Sequence, residues 1–244
     1  MKKIILIKLG GSLISDKTKV NKARVKEIIK VAKQIEKLSK DYSLIIFTGA
    51  GGYGHPVAEK YKNNLRKGIK EIKNACKKLN RIVVTTLINQ SGLNAVSIEP
   101  DKVAKYQEGR MIKLSHGYIV KLLKKNIIPV FHADLVHDKK LGISILSMDK
   151  FLTDTAINLK KNGCKIEKAV FVGIMKGVID QNGKLISKIT RNKFNKFKDV
   201  FFIGKGVDVS GGMKYKVEQC LRLADNKITS YVTDNLTKQG TMIT

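Results

Sequence analysis

Short apolar runs alternate along the chain with longer segments in which apolar residues recur every three or four positions. Lys3–Gly10 is an apolar run that ends in glycine, which predicts a buried strand followed by a turn. In Asn21–Lys40 the apolar residues fall at helical spacing and form one face of a predicted helix. Ser43–Gly49 repeats the strand pattern and again runs into glycines. This alternation predicts an α/β fold with a largely parallel sheet, in which ligands bind beyond the carboxyl ends of the strands.

The rest of the pattern predicts further elements of both kinds. Helices are predicted at Glu71–Lys78, Ser115–Lys125, Asp149–Lys161 and Lys214–Ala224. Strands are predicted within Leu93–Pro100, Asn126–Val136 (a strand leading into a loop), Lys168–Ile179, Val200–Ile203, Ile228–Thr233 and Gly240–Thr244. Asp138–Leu146 predicts a hairpin and Asp180–Gly183 a turn. Arg81–Asn89 fits either a strand or an extension of the preceding helix, and both interpretations stay open.

The composition fits a globular protein and argues against several other classes. The chain has 244 residues, enough for one large domain, and 43% of them are hydrophobic, which argues against global disorder. No apolar run approaches the roughly 20 residues that span a bilayer. The apolar stretch Ile4–Ile7 is too short for the core of a signal peptide. We therefore expect a cytoplasmic protein with no membrane partner.

The cysteines predict neither a disulfide framework nor a zinc site. Cys76, Cys164 and Cys220 lie far apart, and none belongs to a CxxC pair. Reduced, buried thiols are the expected state of such cysteines. We assign no residue of the sequence as a metal ligand.

The net charge of +28 is the most unusual number of the composition. Such a charge favours polyanion partners, nucleic acid above all. The basic residues, however, are mostly lysines spread from end to end, without an arginine-rich block or interleaved aromatic residues. We therefore expect no nucleic-acid partner, and expect the positive field to attract a phosphorylated small molecule instead.

Three glycine-rich segments each carry a lysine or a histidine. They are KLGGSLISDK at Lys8–Lys17, GAGGYGHP at Gly49–Pro56 and DVSGGMKYK at Asp208–Lys216. Glycine lets backbone N–H groups approach an anion, and nearby ammonium groups neutralise a polyphosphate. Each segment alone also fits an ordinary turn, and the first lacks the GxxxxGK[ST] pattern of a P-loop. Together, on one α/β chain, the three segments predict a phosphate site.

In this order and spacing, the segments resemble the amino acid kinase superfamily. KLGGSLISDK, GHPVAEKY, AVSIEP, IPVFHADLV and DVSGGMKYK resemble, more narrowly, archaeal isopentenyl phosphate kinases, and the resemblance covers about residues 3–225. A histidine that closes the glycine segment, here His55, separates this branch and the fosfomycin kinases from carbamate, aspartate and acetylglutamate kinases.

The resemblance implies a fold, a reaction and partners. The fold is an open αβα sandwich, a single domain over 1–244 with a substrate-binding half at 1–146 and a nucleotide-binding half at 147–244. The reaction is phosphoryl transfer from ATP, with Mg²⁺, to isopentenyl phosphate, which gives isopentenyl diphosphate. A phosphate oxygen is already a nucleophile, so the site needs charge neutralisation and alignment more than a general base. A homodimer is also expected, because relatives are often dimers.

The resemblance also assigns roles to residues. The catalytic residues are Lys8, Lys17 and His55. The nucleotide-binding residues are Lys8, Gly10, Gly11, Ser12, Gly212 and Lys216. The substrate-binding residues are Gly49 and Ala50, through backbone N–H groups, His55, through the substrate phosphate, and Ser147. An apolar pocket for the prenyl tail is expected around Cys76–Ile88.

Some positions depart from the family pattern. Ala50 replaces a usual glycine, and Gly173–Gly177 replaces an acidic TDVDG-type nucleotide loop. Lys150 follows Asp149, as a basic residue does in fosfomycin kinases. Two alternatives therefore stay open beside the leading hypothesis, a phosphonate kinase of the fosfomycin type and a non-catalytic paralogue that has lost its nucleotide loop. A nucleic-acid binder is the alternative that the charge alone supports.

Overall fold

A computed structural model of the chain describes residues 1–180, 182–197, 212–238 and 240–244. The predicted strand Val200–Ile203 and the first part of the third glycine-rich segment, Asp208–Gly211, lie outside the described residues. Within them, the main secondary structure follows the alternation that the sequence predicts.

The described residues form strands and helices with the following bounds. The strands are β1 Ile4–Leu9, β2 Ser43–Thr48, β3 Ala95–Ile98, β4 Ala104–Gln107, β5 Arg110–Leu114, β6 Ile128–His132, β7 Asp134–Asp138, β8 Gly142–Leu146, β9 Ile166–Val172, β10 Lys188–Ile189, β11 Ser230–Thr233 and β12 Thr241–Ile243. The helices are α1 Gly11–Ile14, α2 Val25–Ser39, α3 Gly51–Lys60, α4 Leu65–Ser91, α5 Pro100–Val103, α6 His116–Lys124, α7 Met148–Lys161, α8 Arg191–Phe197 and α9 Gly212–Asp225. Among the described residues, no helix combines the length and the apolar composition needed to cross a membrane.

The main sheet has eight strands in the order β10-β12-β11-β9-β1-β2-β6-β3. β1 lies at its centre and pairs in parallel with β2 on one side and β9 on the other. β6, β3 and β11 continue the parallel arrangement, whereas β12 pairs antiparallel with β11. The predicted parallel sheet is therefore confirmed, and the carboxyl ends of its central strands lie at one edge.

Apolar side chains cover both faces of this sheet. Successive residues of a strand point to opposite faces, so Ile4 and Leu6 pack on one side with α7 and α9, and Ile5 and Ile7 pack on the other with α2 and α4. All four side chains are completely buried. The result is a sheet between two helical layers, which confirms the expected αβα sandwich.

A second sheet, β5-β4-β7-β8, was not predicted. The loop expected after β6 is wrong, because Asp134–Asp138 forms strand β7 and pairs antiparallel with β8. β4 and β5 form a second antiparallel hairpin. The Asp138 carboxylate ties the hairpins together, because it accepts hydrogen bonds from the N–H groups of Glu108 at 2.9 Å and Gly109 at 2.7 Å.

The ambiguous segment Arg81–Asn89 is helical and belongs to the 27-residue helix α4. Its branched residues favour a strand, but Leu79, Val83 and Leu87 are buried at the four-residue spacing of a helix face. Packing of this face against the sheet outweighs the local strand propensity. The helix ends at Gly92, whose φ of +60° suits glycine at a left-handed cap.

Candidate active site

A cavity of about 750 Å³ lies at the carboxyl edge of the main sheet. The residues that follow four parallel strands line it: Gly10 after β1, Gly49 after β2, Ala133 after β6 and Gly173 after β9. This position agrees with the expectation that ligands bind beyond the carboxyl ends of strands in an open α/β sheet.

Nearly all of the predicted site residues line this one cavity, although they come from distant parts of the sequence. They are Lys8, Gly10, Gly11, Ser12, Lys17, Gly49, Ala50, His55, Ser147 and Lys216. Gly212 is not among the lining residues and instead begins α9, with a φ of +66°. The structure thus brings together the first two glycine-rich segments and the lysine of the third.

The first two glycine-rich segments pack directly on each other. A Cβ atom on Gly11 would lie 2.5 Å from the backbone nitrogen of Gly51, and one on Gly49 would lie 2.7 Å from that of Gly11. Gly51 also has a φ of +52°, which other residues adopt only at a cost. These glycines therefore allow two backbone turns to touch, which brings the ends of β1 and β2 around a common site.

The glycine segment is a strand-to-helix turn, and most of it is helical. Helix α3 begins at Gly51 and includes His55 and Pro56. Proline has no N–H for the carbonyl four residues earlier, and here that carbonyl, on Gly52, accepts a hydrogen bond from Asn21 N–H at 3.2 Å. This stretch is therefore a short turn followed by a helix, and His55 is held on that helix.

The structure also changes the role of two glycines that were expected to offer N–H groups to anions. Gly10 N–H donates to the Val172 carbonyl at 2.7 Å, and Gly49 N–H donates to the Leu9 carbonyl at 3.0 Å. Both donors extend the strand pairing and are already satisfied. The contribution of Gly10 and Gly49 is therefore close packing, and the expectation that the Gly49 N–H binds substrate is wrong for this structure.

A buried group of three charges forms one part of the cavity lining. Lys8 Nζ lies 2.8 Å from Asp149 Oδ1, and Lys216 Nζ donates to Asp149 Oδ2 at 2.8 Å. Lys8 comes from the end of β1, Asp149 from the first turn of α7 and Lys216 from α9. One carboxylate thus holds two ammonium groups side by side, an arrangement suited to a ligand with several negative charges.

Burial and mutual charge shift the pKa values of this group. Burial lowers the pKa of Lys8 to about 8, because the attraction of Asp149 offsets the cost only in part and Lys216 repels the same charge. Burial also disfavours the charged forms of Asp149 and Lys216. Their ion pairs outweigh this effect, so the pKa of Asp149 lies well below its usual range and that of Lys216 lies above. At neutral pH the group carries two positive charges against one negative charge.

Asp149 is the central residue that the sequence did not assign. Acidic residues are common in the first turn of a helix, because their negative charge interacts favourably with the helix dipole. Such a residue therefore needs no further role to explain its presence. Only its fixed position after Ser147, itself a predicted site residue, marks it in the sequence. The link to Lys8 and Lys216 depends on the tertiary structure.

A further part of the lining, which we call the apolar end, is mostly apolar, although it includes Asp134, whose carboxylate pairs with Lys73 at 2.9 Å. The apolar side chains of this end include Ile72 and Cys76 on α4, Leu135 on β7 and Ile145 on β8. Of the segment Cys76–Ile88, where the tail pocket is expected, only Cys76 is among the residues that line this cavity. The hairpin predicted at Asp138–Leu146 contains β8, but a loop was expected where β7 lies, so the contribution of Leu135 was missed.

Comparisons with known proteins agree with this arrangement. The family model of the amino acid kinase family matches residues 3–234. An isopentenyl phosphate kinase of Methanocaldococcus jannaschii is 31% identical over 245 residues, which cover 94% of this chain and 90% of the relative. An isopentenyl phosphate kinase of Methanothermobacter thermautotrophicus is 28% identical and covers the same shares, 94% and 90%.

The structural comparison points the same way. A crystal structure of an isopentenyl phosphate kinase matches with a TM-score of 0.77 and 25% identity, and the match covers 95% of this chain and 91% of that one. The chain therefore belongs to the amino acid kinase family, and it is a kinase.

Proposed function

We propose that this kinase transfers the γ-phosphoryl group of ATP to isopentenyl phosphate and releases isopentenyl diphosphate and ADP. The observation that carries the proposal is a single cavity whose lining combines two lysines fixed by Asp149 with a group of apolar side chains. An acceptor with a phosphate head and a short hydrocarbon tail matches both groups of side chains. The relatives named isopentenyl phosphate kinase, at 31% and 28% identity, support the same substrate.

The lining residues fit the needs of this reaction. The acceptor phosphate supplies its own nucleophilic oxygen, so the protein has to align two anions that repel each other. Lys8 and Lys216 neutralise the charge of the transferred group, Lys17 supports it, and His55 binds the acceptor phosphate. This assignment leaves the apolar end for the hydrocarbon tail. The charged part of the site then acts by neutralising and aligning the two phosphate groups.

We place the nucleotide in the half formed by 147–244 and the acceptor in the half formed by 1–146. On the nucleotide side the cavity is lined by Gly173, Ile174 and Met175 and by Met213 of α9, so apolar side chains would contact the base. Among the described residues no group of three or more His, Cys, Asp or Glu side chains is placed to hold a metal. Mg²⁺ would then enter as part of the Mg–ATP complex, held mainly by phosphate oxygens, as is usual for this ion.

The apolar end favours isopentenyl phosphate over a phosphonate of the fosfomycin type. Fosfomycin has a much smaller hydrocarbon part, which would leave Ile72, Cys76 and Ile145 without a partner. The curated relatives support the same choice. Lys8, Lys17, His55 and Lys216 are all present around one cavity, which argues against a non-catalytic paralogue.

ADP release with Mg–ATP and a panel of acceptors tests the proposal. We expect turnover with isopentenyl phosphate, slower turnover with dimethylallyl phosphate, and little with fosfomycin. His55→Ala should raise the KM for the acceptor and lower kcat, because His55 binds the acceptor phosphate in the proposed complex. His116→Ala, at a histidine of α6 outside the cavity, is the matched control.

Two results would contradict the assignment. Faster turnover with fosfomycin than with isopentenyl phosphate would favour the phosphonate kinase, and no ADP with any acceptor would favour the non-catalytic paralogue. A cytoplasmic location and a homodimer remain part of the proposal, and light scattering of the purified chain measures the second. DNA binding that persists at physiological salt would support the nucleic-acid alternative instead.

A further inference from the structure

A second cavity, of about 1000 Å³, lies between α4, β3 and α6. One face of α4 lines it through Lys77, Lys78 and Arg81, and the opposite wall includes Lys102 and Tyr118. None of the residues assigned to the candidate active site lines this cavity. We define it as the α4–α6 cavity.

The α4–α6 cavity and the candidate active site lie on different sides of α4 and of the end of β6. On α4, Ile72 and Cys76 line the active-site cavity, whereas Lys77 and Arg81 line the other. A helix presents residues four apart on one face, so the two pairs define two faces. A ligand of the α4–α6 cavity would thus bind at a separate site.

The rim of this cavity is strongly cationic. Four cationic side chains line it, and the carboxylate among its lining residues, Glu99, pairs with Lys77 at 3.1 Å and with Lys102 at 3.3 Å. Lys78 and Arg81 are exposed on α4. The cavity lining therefore has a net positive charge, which favours binding of an anionic ligand with several acceptor oxygens.

A buried histidine adds a polar group to the lining. His132 is only 1% exposed, yet it belongs to the residues that line the α4–α6 cavity. Its Nδ1 donates to the Ala133 carbonyl at 2.9 Å, so the proton lies on Nδ1 and Nε2 is an acceptor. Within the described part of the chain this Nε2 is buried without a hydrogen-bond partner, which is costly unless a donor reaches it.

We propose that the α4–α6 cavity binds a hydroxylated organic phosphate at a site separate from the candidate active site. The phosphate group contacts Lys78 and Arg81 at the rim, and Lys77 and Lys102 add to the field. Tyr118 packs against the carbon skeleton of the ligand, and a small displacement of the cavity wall on binding lets a ligand hydroxyl group donate to His132 Nε2, which is buried in the structure. Inorganic phosphate makes only the first of these contacts, so it binds more weakly.

Calorimetric titration with ribose 5-phosphate tests the proposal on the full chain. The charge-reversal variant is Lys78→Glu/Arg81→Glu, and the matched control is Lys67→Glu/Lys70→Glu, which makes the same charge change on exposed residues of α4 outside both cavities. We expect ribose 5-phosphate to bind the wild type and the control alike, and at least tenfold more weakly to the charge-reversal variant. Tyr118→Ala, on the opposite wall, should weaken binding severalfold.

The controls separate this site from the general charge and from the kinase reaction. Equal weakening in the Lys67→Glu/Lys70→Glu variant would mean that the net charge of +28 attracts the probe, and would overturn the proposal. Unchanged binding in the charge-reversal variant would overturn it as well. We expect the KM for isopentenyl phosphate to stay unchanged in both variants, so a failure of the proposed kinase substrate leaves this test intact.

Discussion

Two aspartates of helix α7 are alike in their local surroundings and different in their positions. Asp149 is 6% exposed and Asp154 is 9% exposed, and each carboxylate binds two cationic side chains. Asp149 holds Lys8 and Lys216, both at 2.8 Å. Asp154 holds Lys150 at 2.9 Å and Arg222 at 2.8 Å. Of the two carboxylates, only Asp149 lines the candidate active site.

The origin of the partners explains the difference. Lys150 lies one turn from Asp154 on the same helix, and the Arg222 side chain is 40% exposed, so this group supports the packing of α7 against α9. Lys8, by contrast, lies at the carboxyl end of the central strand, and its side chain is only 12% exposed. A buried carboxylate that pairs with two cationic side chains therefore does not by itself indicate an active site. A ligand can reach the bridged charges only where they lie at the edge of the parallel sheet and line a cavity.

The largest expected effect comes from removing a lysine of the Asp149 group. In the proposed reaction, Lys8 and Lys216 each supply a cation that neutralises the transferred phosphoryl group. We therefore expect kcat for ADP release to fall by about 10³-fold in Lys8→Met and in Lys216→Met, the upper part of the range for loss of one transition-state contact. Lys150→Met is the matched control in the Asp154 group. A loss of similar size in Lys150→Met would show that both groups act only through stability.

The second test compares the carboxylates themselves. Asp149→Asn leaves the two lysines without a counter-charge and lets them move apart, so we expect kcat to fall by about 10²-fold. Asp154→Asn leaves the cavity unchanged and should alter kcat less than twofold. Both changes break a buried ion pair, so thermal unfolding should show that both destabilise the fold, by roughly 3–5 kcal/mol as an upper bound for well-buried pairs.

This pair of variants separates positioning from stability. Loss of stability in both variants with a large loss of kcat in Asp149→Asn alone is the expected pattern. If the two variants lost activity in proportion to stability, the distinction between Asp149 and Asp154 would be wrong.

The comparison also shows what the sequence could predict. Lys8, Lys17, His55 and Lys216 follow from local signals, because each stands in or beside a glycine-rich segment at the end of a strand or the start of a helix. Asp149 does not, because its partners come from β1 and α9 and meet only in the folded chain. Local patterns thus identify candidate ligand-binding groups more readily than the groups that hold those candidates in position.

The strands show the same limit. β1 and β2 are buried on both faces and are predicted by their continuous apolar runs. β4 and β5 carry the exposed residues Lys105, Arg110 and Lys113 on one face. In a chain this rich in basic residues, their alternation with buried residues is hard to recognise. The buried residues Ala104 and Tyr106 and the turn at Glu108-Gly109, with φ of +52° and +69°, are the signals that would have identified this hairpin.

The pH dependence of the free enzyme sharpens the same contrast. The pKa of Lys8 is lowered to about 8, and the reaction needs its positive charge, so kcat/KM should fall as the pH rises above this value. Well above this pKa the loss should approach about tenfold for each further pH unit, because the protonated fraction of Lys8 falls by that factor. Asp149→Asn should move this limb to lower pH, because the carboxylate favours the charged form of Lys8. An alkaline limb that stays in place in Asp149→Asn would assign it to another group.

The smallest expected effect lies at the apolar end of the cavity, where Cys76 limits the space. A Cβ atom on Gly54 would lie only 2.6 Å from Cys76 Sγ, so the thiol fills the gap between α3 and α4. Cys76→Ala should open room for about one more methylene group, and the ratio of kcat/KM for a one-carbon-longer alkenyl phosphate over isopentenyl phosphate should rise by about tenfold. Cys164→Ala, at a half-buried cysteine outside the cavity, should leave the ratio unchanged. Since Asp149 and its lysines are untouched, kcat for isopentenyl phosphate should change less than threefold, and a larger fall would mean that the apolar end also positions the reacting groups.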